Sequence, residues 1–173
     1  MASLVSYKTQ VSQYESNLWS VYIPVPNDIA ESFLQSEAKR VICTINKSLR
    51  IHCAILPMGN GNHFMLLNKE NRKKLMLNIG DENDIILEPD TSKYGIALPA
   101  EMEELLLMDE EGSEVFHKLT PGKQRSLLFI IGKPKSTETR LKKAVVIIDY
   151  LKLTGGKLDF KELNEAFKQA NSR

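Results

Sequence analysis

The sequence predicts an α+β protein in which a mainly antiparallel β-barrel precedes a helical segment. Three observations predict this fold class. Short runs in the first 92 residues alternate apolar and polar side chains, one strand–helix–strand pattern occurs there twice, and apolar residues recur at helical spacing after Pro89. We therefore expect a β-barrel domain at residues 1–92 and a helical domain at residues 93–173.

Alternating strands dominate the first predicted domain. The runs 41–45 and 49–55 place apolar residues at every second position, which is typical of half-buried antiparallel strands. Asn46-Lys47 between them predicts a tight hairpin, because asparagine tolerates a positive φ. Gly59-Asn60-Gly61-Asn62 predicts a second turn, which leads into a strand from His63 to Leu67.

A strand, a short amphipathic helix and another strand occur twice in this domain. The predicted helices run from Asn27 to Leu34 and from Lys69 to Leu77, with N-caps at Asn27-Asp28 and at Asn68. Their flanking strands are predicted at 20–25, 40–45, 63–67 and 84–87. Two such units that interlock into a closed barrel would leave no exposed sheet edge.

Helices fill the second predicted domain. Pro99 opens an acidic helix, and further helices are expected at 114–119 and 121–131. A long helix then starts at Ser136 or Thr137 and ends at Gly155-Gly156, and Asp159 with Glu162 opens the last one. The predicted inward positions are Leu141, Ala144, Val145, Ile148 and Leu151 in the long helix and Phe160, Leu163 and Phe167 in the last.

Leu77-Asn78-Ile79-Gly80-Asp81 follows a strand and a short helix and precedes another strand. This arrangement is similar to the swapped-hairpin, or double-split, barrel of AbrB-type proteins, in which two chains each give one unit to a shared barrel. The resemblance implies that the present chain holds both units itself. Since dimerisation would then not be needed to close the barrel, we expect a monomer.

A second resemblance covers the helical domain. The stretch Leu119-Thr120-Pro121-Gly122-Lys123-Gln124-Arg125-Ser126, followed by Lys133-Pro134-Lys135-Ser136-Thr137-Glu138-Thr139-Arg140, resembles the bacteriocin-protection family, also called YdeI/OmpD-associated. In that family the segment often follows a barrel domain of unknown function. The run from Leu127 to Ile131 is aliphatic, where relatives often carry more aromatic residues. The resemblance implies an architecture rather than a chemistry.

Charge is segregated along the chain. Residues 1–80 have a net charge of +4, residues 81–117 of −11 and residues 118–173 of +8, for a total of +1. One explanation is that the acidic and basic segments neutralise each other within the chain. The other is that the basic end binds an anionic partner.

The strongest basic cluster surrounds two predicted helix starts and contains Lys123, Arg125, Lys133, Lys135, Arg140, Lys142 and Lys143. Helix N-termini favour anions, and arginine binds phosphate or carboxylate through two donors. We therefore predict an anion site that contains Lys123, Arg125, Lys133 and Arg140. In the alternative that stays open, Glu138 and Arg140 connect the helix start to the acidic segment 101–114.

The residues indicate no catalytic site, no metal site and no cofactor. Cys43 and Cys53 fall on apolar strand faces, without histidine at ligand spacing, and are expected to be buried thiols. His52, His63 and His117 are scattered, and no nucleophile motif accompanies them. The glycine–lysine pairs lack the other residues of a phosphate loop, and the acidic run 81–90 lacks the glycine and glutamate positions of a calcium loop.

The sequence also bears on location. It contains no apolar run of the about 20 residues that span a bilayer, and Met1-Ala2-Ser3-Leu4 does not resemble a signal peptide. We expect a cytoplasmic protein without membrane insertion.

The leading functional hypothesis is a non-catalytic binding or interaction module that takes a small anionic ligand. One alternative is nucleic-acid binding, based on the AbrB-like barrel and on Arg72-Lys73-Lys74. The other is an enzyme whose site combines residues of both domains, such as a histidine beside a carboxylate.

Overall fold

The computed structural model describes residues 3–13, 21–36 and 40–172. The chain divides into two compact units, Met1–Thr91 and Ser92–Arg173. The strands of the first unit are β1 (Val5–Gln10), β2 (Ser12–Gln13), β3 (Val21–Val25), β4 (Arg40–Ile45), β5 (Leu49–Ala54), β6 (Leu56–Met58), β7 (Asn62–Leu66) and β8 (Glu82–Pro89). Its helices are α1 (Asn27–Leu34) and α2 (Lys69–Leu75).

The strands form two antiparallel four-stranded sheets, in the orders β1-β8-β4-β5 and β2-β3-β7-β6. Exchanging β1–β4 with β5–β8 reproduces both orders, so the topology has a two-fold pseudosymmetry. The elements β3-α1-β4 and β7-α2-β8 correspond to the two repeated patterns of the sequence. They interlock, because β3 pairs with β7 and β4 pairs with β8.

Residues of both sheets belong to one apolar cluster, which includes Ile23 and Met65 from one sheet and Cys43 and Leu87 from the other. The chain passes from the first sheet to the second at Val11, between β1 and β2, and again at Ile55, between β5 and β6. Both residues are buried. Within the described ranges, no strand of one sheet pairs with a strand of the other through backbone hydrogen bonds. The closed double-split barrel is therefore not confirmed. The order of a β part followed by a helical part is as predicted.

The turns of this unit follow from local sequence. Asn46 and Lys47 have φ values of 50° and 55°, as the central positions of a type I′ turn require, and the N–H of Ser48 closes this turn onto the carbonyl oxygen of Ile45. The side chain of Asn68 accepts a hydrogen bond from the backbone N–H of Asn71 and caps α2. The predicted Asn27-Asp28 cap of α1 is wrong. Pro26 occupies the N-cap position without a side-chain bond, because Asn27 already lies within the helix.

The C-terminal unit contains α3 (Ala100–Met108), α4 (Glu110–His117), α5 (Pro121–Gly132), α6 (Thr137–Leu153) and α7 (Phe160–Asn171). Side chains of Thr120, Ser136 and Asp159 cap the last three of these helices. Its buried cluster is Tyr94, Met102, Phe116, Leu119, Leu127, Leu128, Ile131, Ala144, Ile147, Ile148, Tyr150, Leu151 and Leu163. The helices α4 and α6 approach closely, and a Cβ added at Gly112 would overlap Cγ2 of Ile148.

Three positions predicted to face this core are more exposed. Leu141 and Val145 are 46% and 38% exposed, because they lie at the edge of the α6 stripe that Ile147 and Ile148 fill. Phe160 is 42% exposed, since it is the first residue of α7 and precedes the turn that contacts the core. Leu163, one turn later, is buried as predicted.

Candidate functional site

Arg140 lies in the first two turns of α6 and is half-buried. Its Nε and Nη2 lie 2.9 Å and 2.8 Å from Oε1 of Glu101, whose side chain is 9% exposed. Nη1 donates to the carbonyl oxygens of Pro134 and Lys135, and Nη2 donates to Oγ1 of Thr137. The hydrogen bond to Glu101 lowers the pKa of that carboxyl and raises the pKa of Arg140. Arg140 therefore connects the start of α6 to the acidic segment.

The other three predicted anion-binding residues lie on or beside α5. Lys123 and Lys133 are exposed at opposite ends of the helix, and Arg125 is half-buried. The rise of about 1.5 Å per residue separates the ends by about 15 Å. No hydrogen bond or ion pair joins any of the four residues to another of them in the part of the chain that the structure describes. Anion binding by this set stays a prediction.

A pocket of about 430 Å³ lies between α6 and α7. Its lining includes Lys142, Lys143 and Val146 from α6 and Phe167 and Lys168 from α7. Lys142 and Lys143 lie four and three positions before Val146, and Asn164, also in the lining, lies three and four positions before Phe167 and Lys168, so on each helix the lining residues share a face. The volume falls within the range of about 300–1,000 Å³ that is usual for ligand pockets.

Lysines give this pocket its charge. Nζ of Lys143 lies 5.3 Å from the centroid of the Phe167 ring, and Nζ of Lys168 lies 2.7 Å from Oε1 of Glu165. Lys142 and Lys143 form no ion pair with any described residue. The pocket thus combines apolar side chains with two ammonium groups that have no acidic partner among the described residues.

A histidine–carboxylate pair lies in the N-terminal unit. The side chain of Asp90, directly after β8, is fully buried, and its Oδ2 lies 2.8 Å from Nδ1 of His52 on β5. Strand β4 lies between β5 and β8, so the contact spans three strands. The sequence drew attention to His52 and gave no signal for Asp90, because their proximity depends on the strand order. On the same sheet, Nη2 of Arg50 lies 2.6 Å from Oε1 of Glu88.

The other two histidines are held by neutral partners. Nδ1 of His63 lies 3.1 Å from Oδ1 of Asn27. Nε2 of His117 lies 2.8 Å from the hydroxyl of Tyr94, and its Nδ1 lies 2.7 Å from the carbonyl oxygen of Ser113. Within residues 3–13, 21–36 and 40–172, no three histidine, cysteine or acidic side chains group as ligands for a metal ion.

Two family models match the chain. The model described as a domain of unknown function (DUF1905) matches residues 7–87. The model described as bacteriocin-protection, YdeI or OmpD-associated matches residues 96–153. The curated proteins contain no match. The resemblance of the helical part to the bacteriocin-protection family is thereby confirmed, and neither description names a ligand or a reaction.

The matched ranges divide the candidate sites unevenly. The bacteriocin-protection match includes Lys123, Arg125, Lys133 and Arg140 and ends at Leu153. It leaves out α7, so the α6–α7 pocket takes part of its lining from a helix beyond the match. The DUF1905 match includes His52 and ends three residues before Asp90.

The two cysteines are free and buried. Sγ of Cys53 lies 3.5 Å from Sδ of Met65. A hydrogen bond with Cys53, followed by burial, raises the pKa of the Cys43 thiol. Because the thiolate is the nucleophilic form of cysteine, the Cys43 environment suits packing rather than chemistry.

None of the helices in the described ranges is both long enough and apolar enough to cross a bilayer.

Proposed function

We propose that the protein is a non-catalytic binding module whose α6–α7 pocket takes a small organic anion with an apolar body. One observation carries the proposal: Lys142 and Lys143, which have no counter-charge among the described residues, line the same pocket as Val146 and Phe167. The carboxylate or phosphate of such a ligand would contact the two ammonium groups. Its apolar part would cover the aromatic ring and the valine.

The position of the lysines on α6 supports an anion. The two lysines follow each other on α6, so their positive charges lie close together. An anion between the two ammonium groups would reduce their mutual repulsion.

Glu101 would compete with an external anion for Arg140, whereas no described acidic residue forms an ion pair with Lys142 or Lys143. Glu101 already occupies the Arg140 guanidinium through two nitrogen atoms, so an external anion would have to displace a carboxylate. The predicted site at Lys123, Arg125, Lys133 and Arg140 is therefore the less favoured location, and we place the ligand between α6 and α7.

Calorimetric titration of the full chain with hexanoate and with inorganic phosphate tests the proposal. At about 0.01 M ionic strength, where the Debye length is about 30 Å, we expect hexanoate to bind more tightly than phosphate, because only hexanoate has an apolar body. Lys142→Glu/Lys143→Glu should weaken hexanoate binding by about tenfold or more, equivalent to about 1.4 kcal/mol.

The matched control is Lys123→Glu/Lys133→Glu, which makes the same charge change at the sequence-predicted site. We expect it to leave hexanoate affinity within a small factor of the unmodified protein. Loss of binding in this control, with binding retained in the α6 variant, would move the site to α5. No heat of binding with either anion would contradict the proposal altogether.

For the N-terminal unit we propose that the two sheets close into a double-split barrel like that of AbrB-type proteins. The shared apolar cluster, the sheet changes at Val11 and Ile55 and the two-fold strand order support it. Nucleic-acid binding has less support, because β8 presents Glu82 and Asp84, which attract Lys8. A mobility shift with duplex DNA that disappears steeply with added salt would support it.

The His52–Asp90 pair favours a second candidate, an enzyme in which His52 acts as a general base. A buried carboxylate at Nδ1 fixes the imidazole so that Nε2 is the acceptor. Hydrolysis of p-nitrophenyl acetate above the buffer rate, lost in His52→Ala and Asp90→Asn and retained in His117→Ala, would support this candidate. A rate equal to that of buffer in the unmodified protein would count against it.

A further inference from the structure

A second pocket, also of about 430 Å³, lies in the N-terminal unit where β3 ends and α1 begins, beside the β6–β7 hairpin. Its polar lining is Thr9, Asn27, Asn62 and His63. None of the described residues that line it is a lysine, an arginine, an aspartate or a glutamate. The two pockets therefore agree in size and differ in charge, and size alone does not select their ligands.

Flat apolar groups form another part of the lining. Tyr22 and Pro24 are two positions apart on β3 and so project from the same face of the sheet. The Tyr22 ring meets the Phe64 ring edge to face, with centroids 5.6 Å apart, and Phe64 lies opposite Pro24 in the β3–β7 register. Met58, which lies opposite Asn62, adds a further apolar surface.

Hydrogen-bonding groups in the pocket offer both donors and acceptors. Because the amide oxygen of Asn27 can only accept, Nδ1 of His63 is the donor in their 3.1 Å contact, and the neutral imidazole keeps Nε2 as an acceptor. The side-chain amide of Asn62 and the hydroxyl of Thr9 bond to no residue that the structure describes. They are left to pair with water or with a ligand.

We infer that this pocket binds an uncharged planar heterocycle with an amide-like edge, the class that includes nucleobases and pyridine carboxamides. A charged ligand would lose hydration without gaining a counter-charge. A wholly apolar one would displace water from the asparagine, threonine and histidine groups without replacing its hydrogen bonds. A flat ring satisfies both requirements, since it packs on the tyrosine and proline and presents donors and acceptors at its edge.

Amide-detected nuclear magnetic resonance titration of the full chain tests this inference, with nicotinamide and cytosine as probes. We expect saturable shifts of the amide signals of Tyr22, Asn62 and His63. Affinity should be unchanged between low and physiological ionic strength, because the probes are neutral. Hexanoate in the same spectra should move signals of α6 and α7 instead, which separates this inference from the proposed function.

Two variants act on the pocket by different means. Asn62→Ala removes an amide from its edge, and Met58→Trp fills its volume while leaving the polar groups in place. Each should weaken probe binding several-fold, whereas Asn71→Ala on α2, outside the pocket, should not. The dispersion of each spectrum reports whether the variant is folded. The result from one folded variant is enough to test the inference.

Failure of both probes to shift the pocket amides at saturating concentration would overturn the inference. The same holds if the folded variants bind as tightly as the unmodified protein, or if the shifts fall only outside the pocket.

Discussion

Arg140 binds Oε1 of Glu101 through both Nε and Nη2, and this contact joins the beginning of α6 to the beginning of α3. Lysine keeps the charge of arginine and lacks its planar pair of donors. We therefore expect Arg140→Lys to lower the Tm of the full chain by several degrees in a calorimetric scan. Lys133→Arg, a charge-conserving change at an exposed neighbour, should leave the Tm unchanged, and equal shifts in the two variants would contradict the structural role.

Acid should weaken the protein through two carboxyls. The pKa of Glu101 is lowered by its hydrogen bond from Arg140, and the pKa of Asp109 by that from Lys152. Stabilisation from a lowered pKa is present above the unfolded-state values of about 4.3 and 3.9, and it is lost as the pH falls through the folded-state values. We expect the urea midpoint to change little between about pH 7 and 5, and to fall below about pH 4.

The control for this prediction is Glu101→Gln/Asp109→Asn. The introduced asparagine would still accept the hydrogen bond that the Asp109 side chain takes from Gly112 N–H, so the α4 cap is retained, while its amide nitrogen cannot accept the hydrogen bond that Oδ2 of Asp109 takes from Lys152. The variant should be less stable at neutral pH and lose less stability on acidification. A pH dependence identical to that of the unmodified protein would show that other groups control the acid transition.

Gly112 is required by the packing of α4 on α6. A Cβ at this position would overlap Cγ2 of Ile148 and lie 2.9 Å from Cγ of Asp109. Because Ile148 is 1% exposed and surrounded by core residues, Gly112→Ala should cost about 1–3 kcal/mol of unfolding free energy in urea denaturation.

Gly122→Ala is the matched control. A Cβ there would meet only Nη2 of Arg125, at 4.0 Å, and alanine favours a helix over glycine by roughly 0.5–1 kcal/mol. We expect this variant to be neutral or slightly stabilised. Equal losses at the two glycines would contradict the close approach of α4 to α6.

The thiols should be unreactive in the folded protein. Cys43 and Cys53 are buried, and the pKa of Cys43 is raised by its hydrogen bond with Cys53 and by burial. We expect Ellman's reagent to release almost no thionitrobenzoate at neutral pH, and two equivalents after denaturation in guanidinium. Rapid labelling of either thiol under native conditions would contradict this burial.

Local sequence predicted those parts of the fold that local physics determines. The Asn46-Lys47 hairpin, the Asn68 cap and the Ser136 and Asp159 helix starts depend on neighbouring residues alone, and all are present. Strand β1 was missed, although Val5, Tyr7 and Thr9 alternate with more polar residues, and its pairing with β8 spans almost the whole unit.

The candidate sites depend on distant residues, and sequence reasoning found them only in part. Lys142 and Lys143 belonged to the basic cluster, but Lys168 joins them only because the chain reverses at Gly155-Gly156, where both φ values are positive. His52 was a candidate without a partner until β4 and β8 placed Asp90 beside it. Spacing along the chain carries no information about either proximity.

The interlocking of the two repeats has a consequence for synthesis of the chain. Val25 pairs with His63 and Val41 with Pro89, so a ribosome that has completed only the first repeat has released β3 without β7 and β4 without β8. Until residues through Pro89 leave the exit tunnel, the edges of β3 and β4 that pair with β7 and β8 keep unpaired backbone donors and acceptors. Nascent chains stalled before that point are thus the species most in need of a chaperone.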